Sequence, residues 1–258
     1  MSKLGDAKSI ANHYIDEISS MIEIRAAYSN IVVGRAGQLF QTFKDDERAK
    51  GALEIALRHK TVDAAAFYRP LIVQLNGVFE RYIRDLVRAV IEDRFETAKS
   101  YQALKRTFRN SHVYHASRIL YYIKTGSIMG SAYNFDSLLD NLGINLSGSA
   151  PIKLNAEIYT KIMGNCTSDR LKSLFVDLEL PDPFGDRLGK NAQLKAYFAD
   201  KAKGRVAERA SEELDRQIDL RNNIVHGEMT LSVDLAQLND SLAYFRALID
   251  GLDELVRV

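Results

Sequence analysis

The chain has no tryptophan, one cysteine and four prolines in 258 residues. A lone thiol, Cys166, cannot close an intrachain disulfide, so burial must hold the fold together and a stapled secreted domain is excluded. No residue near Cys166 in sequence activates it, and a buried structural thiol is expected. Few prolines leave long stretches without the strongest helix breaker. The 15 glycines are scattered and form no phosphate-cradling loop. No apolar run approaches the roughly 20 residues that cross a bilayer, and the start MSKLGDAKS lacks the basic and apolar regions of a secretory signal. A cytoplasmic protein without membrane contact is expected. There is no HExxH and no Cys/His array, so neither a metal nor a cofactor is expected. Sustained strand alternation is absent too.

What is present is ordinary globular material, 46% hydrophobic and 27% charged, enough for one large domain or one domain with an appendage. Its periodicity is helical nearly throughout. Ile10, Tyr14, Ile18 and Met21 recur at spacings of three and four, the stripe of a helix running to about Val33. Residues 34–37 break it, and a second piece from about Asp46 to His59 completes a hairpin. Asp63 is placed to cap a long helix through about Phe95, with Pro70 in its first turns or kinking it. Its face Leu71, Leu75, Phe79, Tyr82, Leu86 and Val90 marks it as the central core helix. Ser100 and Ser111 look like caps of two shorter helices, and residues 143–150 read as a loop. Helices over about 155–163 and 168–179 precede a proline turn at 180–185. The last pair spans Gly204 to about Val225, stopped by Gly227, and about Val233 to Val256, capped by Ser232 or Asp234.

The net charge of +1 conceals an uneven distribution. From Thr97 to Phe135 there is no acidic residue, while Lys99, Lys105, Arg106, Arg109, Arg118 and Lys124 are all cationic. Cations mixed with rings suit single-stranded RNA, which makes Lys105, Arg106, Arg109, His112 and Arg118 candidate RNA contacts. A solvated basic face is the competing account, with Phe108, Tyr114, Tyr121 and Tyr122 serving the core. His112 and His115 share a helical spacing but lack a third ligand.

Arg221-Asn222-Asn223-Ile224-Val225-His226 is the most informative run. Arg221 falls on the face of Leu214, Ile218 and Val225, and a guanidinium aimed at another helix or a partner chain calls for an anion. His226 precedes Gly227 in the last turn, where the helix dipole favours an imidazolium. An Arg and a titratable His together suit a phosphate. Glu80, on the face of Ile72, Asn76, Ile83 and Val87, either pairs with Arg221 or tunes His226, or else forms a salt bridge at the edge of the core.

The run RNNIVHG resembles the R-x4-6-H signature of the HEPN superfamily, and Leu75-Asn76-Gly77-Val78-Phe79-Glu80-Arg81-Tyr82-Ile83 resembles the long early helix of RiboL-PSP-associated HEPN proteins, which often carries a Glu there. The likeness extends in outline over residues 62–257. It implies an all-α, HEPN-type helical bundle at 62–258, with an N-terminal helical extension at 1–61 and a helical insertion at about 126–203. It further implies a metal-independent endoribonuclease acting as a homodimer, with the Arg and His of both subunits in one cleft. In that scheme His226 moves the proton of the ribose 2′-OH or of the leaving 5′-oxygen, Arg221 holds the phosphate, Asn222 adds a hydrogen bond, and Glu80 and Asn76 support them. RNA would be cut to 2′,3′-cyclic phosphate and 5′-hydroxyl ends, in a toxin or antiviral-defence role with an antitoxin or other partner protein. The alternative is a non-catalytic HEPN module that dimerises or binds RNA or a nucleotide.

Overall fold

The structure, a computed structural model, describes residues 3–58, 64–126, 134–148, 152, 158–161, 165–227 and 232–257. Among them are eleven α-helices, two 3-10 turns and no strand. The helices are α1 (Lys3–Gly34), α2 (Ala36–Thr42), α3 (Glu47–Arg58), α4 (Ala64–Thr97), α5 (Arg106–Lys124), α6 (Phe135–Ser147), α7 (Ile158–Lys161), α8 (Ser168–Asp177), α9 (Ala192–Phe198), α10 (Lys203–Val225) and α11 (Leu235–Val256). The 3-10 turns are Tyr101–Ala103 and Leu188–Lys190. No described helix is long and apolar enough to cross a membrane.

α4 is the axis of the bundle, packed by α1, α10 and α11. All six residues of its expected face are buried, each large aliphatic side chain contributing about 2 kcal/mol of hydrophobic stabilisation. Pro70 lies inside α4, on its exposed side. Asp63 falls outside the described residues.

The stripe of α1 differs from the one expected. Ile10 and Met21 are exposed, whereas Ala7, Ala11, Ile15, Ile18 and Ile22 are buried. This parallel stripe also obeys the three-four spacing, and its two alanines allow close backbone approach to the neighbouring helices. Lys8 bonds Asp250, and Arg246 bonds Asp16, across the seam with α11. The buried side chains of α1, within this expected extension, thus belong to the same core as α4 and α11.

Two local expectations are corrected. Ser111 caps nothing. α5 is continuous across it, because Phe108, His112, His115 and Ile119 form one buried face at helical spacing. Residues 143–147 are helical, the end of α6, because Leu138, Leu142 and Asn145 are buried together and Asn134 caps the first turn. That packing outweighs the roughly 1 kcal/mol cost of a glycine at 143, and the turn comes only at Gly148, with φ +76°. α9 was not anticipated. It begins where the Asn191 side chain accepts the Leu194 N–H. Ser100 does cap a helix, though only the 3-10 turn, and Asp234 caps α11.

The stretch expected as an insertion supplies much of the core through Leu171, Phe175, Leu188 and Leu194. Two glycines permit it. A Cβ on Gly189 would fall 1.9 Å from the Lys203 carbonyl oxygen, and one on Gly251 2.7 Å from Leu188 Cδ1.

Candidate functional site

The site is built at the C-terminal end of α10. Leu214 and Ile218 are buried, and the Tyr244 hydroxyl of α11 donates to the Ala210 carbonyl at 2.6 Å, which fixes how α10 is rotated. One turn beyond Ile218, Arg221 emerges at the margin of the core, half-buried. Its Nη1 donates to Asn222 Oδ1 at 3.0 Å and to Asn165 Oδ1 at 3.3 Å, while Asn165 Nδ2 donates to Asn222 Oδ1 at 3.1 Å. Arg221 therefore meets neutral amide oxygens, and no carboxylate pairs with it among the described residues. Its charge is oriented without being cancelled.

Asn165 is brought there by the start of α8. Asp215, on α10, accepts the Ser168 backbone N–H at 2.8 Å and the Ser168 hydroxyl at 2.6 Å, a carboxylate placed on a helix N-terminus where the dipole favours it. Thr167 caps the same turn through the Arg170 N–H. The Asn165 carbonyl accepts from Arg170 Nη1 at 3.2 Å. Next to it, Cys166 is wholly buried, and burial pushes its thiol far above the usual range, with the charges of Glu80, Arg84 and Arg170 acting on it more weakly.

His226 is the C-cap of α10 and is exposed, its backbone N–H donating to the Asn222 carbonyl at 2.8 Å. Gly227 ends the helix at φ +89°. Five residues turn a helix by about 140° beyond a full circle, so His226 stands above Asn222 and not above Arg221. Asn222 is the link between them: its side chain holds the guanidinium and its carbonyl holds the histidine backbone.

Neither supporting residue hydrogen-bonds to this group among the described residues. Glu80 sits 3.5 Å from Arg84, one turn along its own helix. Asn76 is buried, with Nδ2 donating to the Ile72 carbonyl at 2.9 Å. The basic segment divides. Arg106 is exposed, and Lys105, also exposed, reaches Glu179 at 3.5 Å. Arg109 is half-buried, its carbonyl accepting from the Tyr101 hydroxyl at 3.3 Å. Arg118 lies over the Tyr114 and Tyr122 rings and donates to the Tyr122 hydroxyl at 3.3 Å. His112 does not belong with them. It is fully buried with Nδ1 3.1 Å from the Tyr101 hydroxyl, and burial, helped by the neighbouring His115, pushes it down to about 4. It is a neutral core residue at neutral pH, since it lies on the inward face of α5.

Sequence reasoning missed Asn165, Asp215 and Arg170. The Thr167-Ser168 pair before an apolar periodicity marks a helix start, but nothing in the sequence shows that this start packs on Arg221.

A family model described as RiboL-PSP-HEPN matches residues 41–257. Comparisons with curated proteins and with solved structures give no match. The matched range takes in most of the chain, including the segment expected as an insertion.

Proposed function

The chain belongs to the RiboL-PSP-HEPN family, and we propose that it is a metal-independent endoribonuclease built on Arg221, Asn222 and His226. The observation that carries this reading is the orientation of Arg221 by two amide oxygens, with an exposed His226 fixed to the same asparagine. A guanidinium held by neutral acceptors keeps its charge for an incoming phosphate, and an exposed imidazole is open to a substrate.

In the proposed reaction the ribose 2′-oxygen attacks the adjacent phosphorus and loses its proton to a base. The bond from phosphorus to the 5′-oxygen breaks, and that oxygen gains a proton. The products are a 2′,3′-cyclic phosphate and a 5′-hydroxyl. His226 serves as the acid or base, and Arg221 stabilises the charge that builds on the non-bridging oxygens. Within one chain the two side chains leave α10 in different directions, which favours a homodimer whose copies present them to one cleft. RNA cutting of this kind suits a toxin or antiviral-defence role restrained by an antitoxin or another partner protein.

One observation favours a second reading. Asn165 rests against Arg221, and a chain that keeps this contact when RNA arrives would bind without cutting. The test is incubation of wild type and His226→Ala with total RNA and a defined single strand in EDTA, with analysis of the ends. Cutting by wild type alone, leaving 2′,3′-cyclic phosphate, is expected; products with 3′-hydroxyl ends, or equal cutting by both proteins, would defeat the assignment.

A further inference from the structure

Beside the motif, α5, α7 and α8 enclose a cleft of about 330 Å³ lined by Tyr114, His115, Arg118, Tyr159, Arg170 and Asp177, among others. Its chemistry is unlike the apolar seams elsewhere in the bundle. His115 is buried and closes one end with Nε2 2.7 Å from Asp177 Oδ2, yet its Nδ1 is buried with no partner among the described residues. His112 Nε2 behind it is in the same condition. The Ser111 and Tyr159 hydroxyls lie beside each other without closing a hydrogen bond of good geometry. A buried ring nitrogen without a partner costs roughly 1–3 kcal/mol. Of these residues His115 and Tyr159 line the cleft, and Ser111 and His112 form a polar layer behind its wall.

The cleft also carries charge in a pattern that narrows the ligand. Arg118 is stacked between the Tyr114 and Tyr122 rings at 5.5 and 5.9 Å. Arg170 reaches across to the Asn165 carbonyl, and Asn165 in turn accepts from Arg221. The cleft and the motif therefore share one edge of the molecule, two hydrogen bonds apart. Two guanidinium groups suit a phosphate. An exposed tyrosine at the mouth offers a face for a base. The single lining carboxylate, already engaged by His115, makes a metal cage a poor fit. The volume lies at the small end of ligand sites, enough for one nucleotide.

We propose that the cleft between α5 and α8 binds a single nucleotide of the RNA, its phosphate on Arg118 and Arg170 and its base on the Tyr114 ring. The proposal rests on the RNA-cutting reading of Arg221 and His226, because it makes the cleft the subsite that sets which flanking nucleotide is accepted.

The experiment is titration of the whole protein with each of the four nucleoside 3′-monophosphates, and with inorganic phosphate, followed by calorimetry. At least one nucleotide is expected to bind ten-fold or more tightly than phosphate. Arg118→Gln should weaken it at least ten-fold. Ser173 lines the cleft from the exposed side of α8, so Ser173→Trp tests occlusion without disturbing the core and should do the same. Absence of binding by all four nucleotides, affinity equal to that of phosphate, or binding untouched by both substitutions would overturn the proposal. RNA cutting without nucleotide binding would defeat the cleft alone. Nucleotide binding at the cleft with RNA left uncut would defeat the nuclease reading alone.

Discussion

The end of α10 and the inward face of α5 carry the same residue types, an arginine within a few positions of a histidine, yet the fold makes them opposites. At α10 the helix runs out of the core, so Arg221 reaches the margin and His226 stands in solvent. On α5 the three-four spacing that places Phe108 and Ile119 inside takes His112 and His115 with them. One histidine region is open and held by amides; the other is enclosed, and its ring nitrogens are incompletely paired. Residue identity alone does not assign a role, because burial decides whether an imidazole is open to a substrate or, like His112, is held as a neutral core group.

The sharpest way to break this contrast is to remove one histidine from each region. His226→Ala should lower RNA cleavage on the order of 10³-fold, the scale of a lost general acid or base, while its exposed position keeps the change in stability within about 0.5 kcal/mol. Urea unfolding beside a cleavage assay reads both, and a collapse of stability would make His226 a structural cap.

The second test is pH. His112 is pushed down to about 4 in the folded chain, below the unperturbed value of about 6.5 expected when unfolded. Between these values the unfolded chain binds the extra proton, so stability present above pH 6.5 is lost as pH falls toward 4, by at most about 3 kcal/mol. His112→Phe removes that titration. Wild type should therefore lose more stability than the variant over this window, and identical pH slopes would mean that the ring is not a neutral core group.

Much of this arrangement was legible beforehand. The buried face of α4 and the span of α10 follow from periodicity and a stopping glycine, which are local signals. The family signature pointed to Arg221 and His226 for the same reason: it is a contiguous run. What stayed hidden depends on contacts between distant segments. In α1 two stripes satisfy the same spacing, and only the packing against α4 and α11 selects the one containing Ala7 and Ala11. Asn165 is 56 residues from Arg221 in sequence, and Asp215 holds it there through Ser168. His112 was grouped with surface cations because the sequence places it among them, whereas the helical turn separates it from Arg106 and Arg118.

The remaining tests separate charge from orientation within the open region. Arg221→Lys keeps the charge and loses the planar fork that two amide oxygens orient. Cleavage should fall roughly 10²-fold, about 2.7 kcal/mol of transition-state stabilisation, with the fold intact. Unchanged activity would mean that any cation suffices there.

Asn165→Ala should have the smallest effect and discriminates best between the two readings of the site. The substitution removes one acceptor from Arg221 and one donor from Asn222 but leaves the Asn165 carbonyl that receives Arg170. If Asn165 orients the guanidinium for a phosphate, kcat should fall about ten-fold, roughly 1.4 kcal/mol, with KM little changed. If it instead shields Arg221 from RNA, the same substitution should raise RNA affinity and cleavage together. The sign of the change in cleavage thus decides whether the contact between α8 and α10 prepares the arginine or restrains it.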